Sequence, residues 1–150
     1  TTMDSMFQSS VLNLNPLYWD VSSVVDMGAM FLGSQFNQDI STWVTSNVTN
    51  MYAMFQQSQF NLDISNWDTS QVTDMSSMFY GAEQFNRPLN TSGNQWNTGK
   101  VKNMLNMFQG AKAFNQDISH WKIPLVASFT RFLSGNSVFS VSNMNNTMNR

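Results

Sequence analysis

The sequence has no cysteine and a single histidine, His120, in 150 residues. Disulfides and thiolate metal sites are thereby excluded, and one imidazole is too few for a soft-metal centre. Charged residues make up only 11% of the chain. No apolar run approaches the roughly 20 residues that a membrane-spanning helix needs, so no membrane span is expected. Phosphate-binding loop, nucleophile elbow, HExxH pair and dinucleotide fingerprint are all missing. Lys and Arg are also missing from residues 1–83, which carry eight acids (Asp4, Asp20, Asp26, Asp39, Asp63, Asp68, Asp74 and Glu83). Residues 84–150 hold one acid, Asp117, and all seven basic residues, so the halves carry −8 and +6 and sum to −2. Half the chain would repel nucleic acid, which removes it as an expected partner.

What the sequence has in abundance is repetition. A Met-x-x-Met-Phe box recurs at Met3/Met6/Phe7, Met27/Met30/Phe31, Met51/Met54/Phe55, Met75/Met78/Phe79 and Met104/Met107/Phe108, with a worn copy at Phe129/Phe132/Leu133. The steps are 24 residues three times, then 29, then 25. A Phe-Asn box keeps the same beat at Phe36-Asn37, Phe60-Asn61, Phe85-Asn86 and Phe114-Asn115, with Leu12-Asn13 as a weaker first copy. Trp19, Trp43, Trp67, Trp96 and Trp121 mark one turn each, and a valine follows each of them by five residues. The longest step takes its extra residues within Asn90–Gln95, a Gly- and Asn-bearing stretch suited to a loop. A fixed period of this size signals a stacked array, in which one repeat cannot bury its apolar face alone.

Each turn suggests two elements. Met75–Ala82 spaces its apolar residues at i, i+3 and i+4, as on a short helical face, and Asp26, Asn50, Asp74, Asn103 and Ser128 stand where N-caps belong. Phe60–Trp67 places Ile64 between Asp63 and Ser65, as in a short half-buried strand. The expected fold is therefore an α/β repeat solenoid, with one short parallel strand and one short helical turn per repeat of about 24 residues. The expected inward set per turn is two Met, two Phe, one Ile or Leu, one Trp and one Val. Residues 1–133 form the solenoid of about five repeats, and residues 134–150 a degenerate terminal segment or tail. Because Thr1 enters just before a box with no polar cap, a fragment of a longer array is expected.

The boxes Asn-Val-Thr-Asn-Met (Asn47–Met51), Phe-Asn-Gln-Asp-Ile-Ser (Phe36–Ser41) and Trp-Asp-Thr-Ser-x-Val (Trp67–Val72) resemble the BspA-like surface-protein repeat. That family is a divergent branch of the leucine-rich repeats, and the resemblance runs from Thr1 to Leu133. It implies a leucine-rich-repeat-like fold, secreted or exposed on a cell surface, doing structural or adhesive work, and it brings no catalytic residues. Pro88 in the Asp slot of turn four, the Asn90–Gln95 insertion and the eroded last turn depart from the pattern.

Few residues carry chemistry outside the repeat. His120 occupies a slot held by Thr42 and Asn66 elsewhere, and every Asp is explained by a repeat slot, so no enzyme and no cofactor are expected. Asp39 and Asp63 stand in equivalent slots of adjacent turns. Hydrogen bonding and hydration suffice for them, and bridging by a calcium ion is the sharper alternative. Asn13, Asn37, Asn61, Asn86 and Asn115 suit turn-to-turn hydrogen bonding, while the file of Thr45, Thr69 and Thr98, an ice-binding pattern in principle, breaks at Val21 and Ile123. Of the sequons at Asn47, Asn90 and Asn145, only Asn90 sits in an inserted loop, which makes it the glycosylation candidate. Lys100, Lys102, Lys112 and Lys122 are the partner-binding candidates, suited to an acidic protein or an anionic glycan.

The functional expectation is a non-catalytic scaffolding module that makes protein–protein contacts in an extracellular or surface assembly. Its opposite end charges favour head-to-tail docking onto flanking repeats or another copy. The alternative is an adhesin-type module that recognises a host protein or glycan through Ser41, Asp63 and Ser65.

Overall fold

A computed structural model describes residues 1–16, 18–91, 94–119, 121 and 130–139. Its construction is clearest at the Met-Phe box. The amides of Met30, Leu32 and Ser34 donate three residues back, to the carbonyls of Met27, Ala29 and Phe31 at 3.3, 3.1 and 3.1 Å. The amides between them leave the turn altogether. Met27, Ala29, Phe31 and Gly33 donate to the carbonyls of Asn50, Tyr52, Met54 and Gln56 in the following repeat, at 3.0, 2.7, 2.9 and 2.7 Å. In an α-helix every interior amide is used along the helix's own axis, so this alternation is not helical. The first and third of the turns closed by Met30, Leu32 and Ser34 carry a left-handed residue at the third position, as a type II turn does. These are Ala29 and Gly33, at φ 48° and 64°, and their counterparts Ala53/Gln57, Ser77/Gly81, Asn106/Gly110 and Arg131/Gly135.

The expected helical turn is thus replaced by a run of β-turns, and the i, i+3, i+4 spacing has another cause. Asp26, Asn50, Asp74 and Asn103 cap these turns rather than helices, as the Asp26 Oδ1 acceptor for the Gly28 amide at 2.9 Å shows. The expected strand fails as well. Asp63 Oδ1 accepts the Ser65 amide at 2.9 Å and Trp67 donates back to the Ile64 carbonyl at 3.1 Å, closing a turn where a ladder would need an extended backbone. Among the described residues there is no helix, and the only strands are β1 (Asn90–Thr91) and β2 (Asn94–Gln95), paired antiparallel within the insertion. The α/β solenoid of leucine-rich-repeat type is therefore not what this chain builds. Among the described residues, parallel pairing survives only as single-residue bridges linking Thr2, Asp26, Asn50, Asp74 and Asn103 in file.

Successive turns stack in register around an aromatic core. Phe7, Phe31, Phe55, Phe79 and Phe108 form one column, with ring centroids 5.8, 5.7, 5.6 and 5.3 Å apart and near-parallel planes. Phe36, Phe60, Phe85, Phe114 and Phe139 form a second at 6.4, 6.4, 6.1 and 6.1 Å. Trp19, Trp43 and Trp67 begin a third at 6.1 and 6.2 Å. Offset stacking of this kind adds about 0.5–1.5 kcal/mol per pair beyond area burial. The eight methionines of turns two to five are fully buried between the columns, where flexible thioethers fill the gaps. In-register contact continues past Leu133: Gly110 donates to the Ser134 carbonyl at 2.8 Å, and the Phe139 ring lies on Phe114. No helix among the described residues is long and apolar enough to cross a membrane.

Candidate functional sites along the stack

Polar side chains run in files down the flank. The Oδ1 atoms of Asn13, Asn37, Asn61 and Asn86 accept the backbone amides of Asn37, Asn61, Asn86 and Asn115 at 2.9–3.0 Å, so each asparagine receives the next turn. In a second file Asp and Asn alternate. Asn50 Nδ2 donates to Asp26 Oδ1 at 2.9 Å and Asn103 Nδ2 to Asp74 Oδ2 at 3.3 Å, which keeps like charges from stacking directly. Thr45 and Thr69 point inward and donate to the carbonyls of Asp68 and Asn97 at 3.0 and 3.2 Å. With Thr98 they are buried, so no threonine array faces water.

The residues singled out from sequence do not converge. Asp39 and Asp63 each accept an amide of their own turn, from Ser41 and Ser65 at 2.9 Å. Among the described residues no group of three or more His, Asp or Glu is placed to hold a metal ion. Lys100 Nζ donates to Gln71 Oε1 at 2.7 Å and Lys112 Nζ pairs with Glu83 Oε1 at 2.7 Å, while Lys102 is exposed. Asn90 lies in β1. His120 and Lys122 lie outside the described residues, as do residues 140–150. Ser65, assigned to a recognition face, is buried.

The structure adds two features, the first bearing on the end-to-end docking expected from sequence and the second not foreseen. One is the edge formed by the first turn. In the second turn the carbonyls of Asp26, Gly28, Met30 and Leu32 accept amides of Met3, Ser5, Phe7 and Ser9 at 2.8, 2.8, 2.9 and 2.6 Å. The corresponding carbonyls of the first turn, on Thr2, Asp4, Met6 and Gln8, accept nothing among the described residues. Met6, Val11, Leu12, Leu14 and Tyr18 are exposed on this same turn, Tyr18 by 91%.

The other is a groove of about 420 Å³ on the flank of turns one and two, walled by Trp19 and Trp43 and carrying Asp20, Asp39 and Thr42. The Ser22 hydroxyl and amide hold the Asp20 carboxyl below its ordinary value. The Ser41 amide and hydroxyl do the same for Asp39. Both groups are therefore anionic at neutral pH.

Compared with known proteins, the chain matches the family described as "Mycoplasma protein of unknown function, DUF285" over residues 1–95 and again over residues 57–149. The chain belongs to that family. No curated protein and no solved structure matches it.

Proposed function

We propose that this DUF285 family member is a non-catalytic scaffolding module that makes protein–protein contacts through the end of its stack. The observation that carries this reading is the in-register pairing itself: in turns two to five, four carbonyls of each turn accept four amides of the turn before it, and turn one offers the same four carbonyls. Five apolar side chains are exposed on the same turn. Such an edge is complementary to another turn of the same construction, on flanking repeats or on another copy, much as an unpaired sheet edge invites a strand. The charge division, −8 against +6, favours a head-to-tail arrangement over head-to-head. The motif resemblance to BspA-like surface repeats and the low charge content support an extracellular or surface setting.

Light scattering behind size exclusion, across protein concentration and at low and high salt, tests this. Mass should climb with concentration, fall with salt, and stay at the monomer value when Met6 and Leu14 are both changed to Glu. Charge reversal at Lys100, Lys102 and Lys122 should weaken the association more at low salt than at high. A steady monomer across the whole range would overturn end-to-end assembly.

A further inference from the structure

We infer that the partner of turn one is turn six of a second copy of this chain, seated in the register of the stack. This rests on the end-docking reading above and names its occupant. Turn six keeps the construction of the deeper turns. Ser134 and Asn136 donate three residues back, to the Arg131 and Leu133 carbonyls at 3.2 and 3.1 Å, and Arg131 and Gly135 are left-handed at φ 57° and 77°. In a deeper turn the amides that this geometry leaves over, such as those of Ala53, Phe55 and Gln57, donate to the following turn. Their counterparts in turn six, the amides of Arg131, Leu133 and Gly135, donate to nothing among the described residues. Turn one offers the matching acceptors. By the offset that pairs Ala53 with the Ser76 carbonyl, Phe55 with Met78 and Gln57 with Tyr80, the three amides would meet the carbonyls of Asp4, Met6 and Gln8. Along the Met-Phe run amides face one way and carbonyls the other, so only a head-to-tail joint satisfies both.

The side chains of the two turns match in the same register. The slot before the Phe-Asn box holds Gln35, Gln59, Gln84 and Ala113 in turns two to five, but Val11 in turn one and Val138 in turn six. Both valines are exposed, by 72% and 46%, and the joint would set one upon the other and take both out of water. Leu133 stands in the column that Phe7 begins, and Phe139 in the column that Leu12 begins. None of these four side chains is fully buried, so the joint would carry both columns from one copy into the next. The charges agree with this order, since residues 1–83 carry −8 and residues 84–150 carry +6. Because the two faces differ, the contact is heterologous and propagates from copy to copy.

Amide hydrogen exchange read by NMR on the whole chain at low salt tests the joint. The Arg131, Leu133 and Gly135 amides should exchange fast in dilute solution. They should slow about tenfold at a concentration that associates about nine-tenths of the chain. Val138→Asp should weaken association about tenfold with the circular dichroism of the fold unchanged. Cross-linking fixes the register. The chain has no cysteine, and Gln8 and Ser134 are exposed in equivalent slots. The joint would bring their Cα atoms to roughly 4.8 Å, within the range a disulfide spans. An equimolar mixture of Gln8→Cys and Ser134→Cys chains should give a mixed disulfide under mild oxidation, and neither variant alone should dimerise. A disulfide in Gln8→Cys alone would mean head-to-head contact, which overturns this inference and leaves docking through turn one standing. Mass that climbs with concentration while the three amides keep their dilute exchange rates would also overturn turn six as the partner. A steady monomer at every concentration would overturn both readings.

Discussion

Trp67→Phe and Trp121→Phe remove the same atoms from two buried, stacked indoles, yet the structure assigns them different costs. Trp67 is 1% exposed and its Nε1 donates to the buried Ile40 carbonyl at 3.0 Å, as Trp96 Nε1 does to Ile64. Trp121 is 5% exposed and stacks on Trp96 at 6.0 Å, but its Nε1 has no partner among the described residues. The carbonyl in the matching slot belongs to Leu89, which the Trp96 amide approaches at 3.5 Å where the insertion rejoins the turn. Shrinking the ring costs about 1–2 kcal/mol at either site through lost burial and imperfect collapse. At Trp67 the indole hydrogen bond is also lost, which adds about 0.5–1.5 kcal/mol, while the Ile40 carbonyl keeps the Trp43 amide at 3.1 Å. The expected totals are about 1.5–3.5 kcal/mol for Trp67→Phe and about 1–2 kcal/mol for Trp121→Phe. Urea unfolding followed by far-ultraviolet circular dichroism reads the difference as a larger fall in midpoint for Trp67→Phe. Equal falls would refute the claim that the indole hydrogen bond separates the two positions.

Gly81→Ala should cost about 1–2 kcal/mol in the same assay, because Gly81 sits at φ 64° and a Cβ there would meet Gln57 Cγ at 3.1 Å. Asn61→Ala removes the acceptor for the Asn86 amide, with an expected loss near 1 kcal/mol and faster hydrogen exchange at that amide. The carboxyls of Asp20 and Asp39 titrate below their ordinary 3.8. Their contribution to stability is therefore complete above that value and is lost as pH falls through the depressed folded pKa. Carbon-detected NMR should find both midpoints below 3.8, and Ser22→Ala should move only that of Asp20 upward.

The core was legible because its residues are apolar at a fixed interval. Met51, Met54, Phe55, Phe60, Ile64, Trp67 and Val72, read as one turn's inward set, are all buried to 1% exposure or less. The backbone was not legible from the same spacing, since this run of β-turns buries side chains at i, i+3 and i+4 (Met27, Met30 and Phe31) as a helix would. The distinguishing signal lay in one recurring slot, Gly33, Gly81, Gly110 and Gly135, where glycine suits a left-handed residue and a helix interior has no use for it. Asp-x-Ser at Asp39–Ser41, Asp63–Ser65 and Asp117–Ser119 likewise marks a side-chain-capped turn, which alternation of apolar and polar residues concealed. The groove was beyond reach for another reason. Asp20 and Asp39 stand in different slots of different turns, and their meeting depends on which slot faces which across the stack.

The insertion supplies a last argument. Across its 29-residue step the Phe79 and Phe108 rings sit 5.3 Å apart at 3°, as close as across the shorter steps, so the extra residues are expelled as the β1–β2 hairpin and the core is undisturbed. What changes is local, at the Leu89 carbonyl. Deleting Thr91–Asn94 leaves Asn90-Gln95 between Leu89 and Trp96, the length found between Ile64 and Trp67. Shortening the loop should raise stability by about 1 kcal/mol through closure entropy. It should also bring the Leu89 carbonyl to the position from which the Ile64 carbonyl serves both the Trp67 amide and Trp96 Nε1, and so within reach of Trp121 Nε1. Trp121→Phe in the shortened chain should then become as costly as Trp67→Phe, a coupling of about 0.5–1.5 kcal/mol in a double-mutant cycle. If Trp121→Phe stays cheap there, the insertion is not what deprives that indole of its partner.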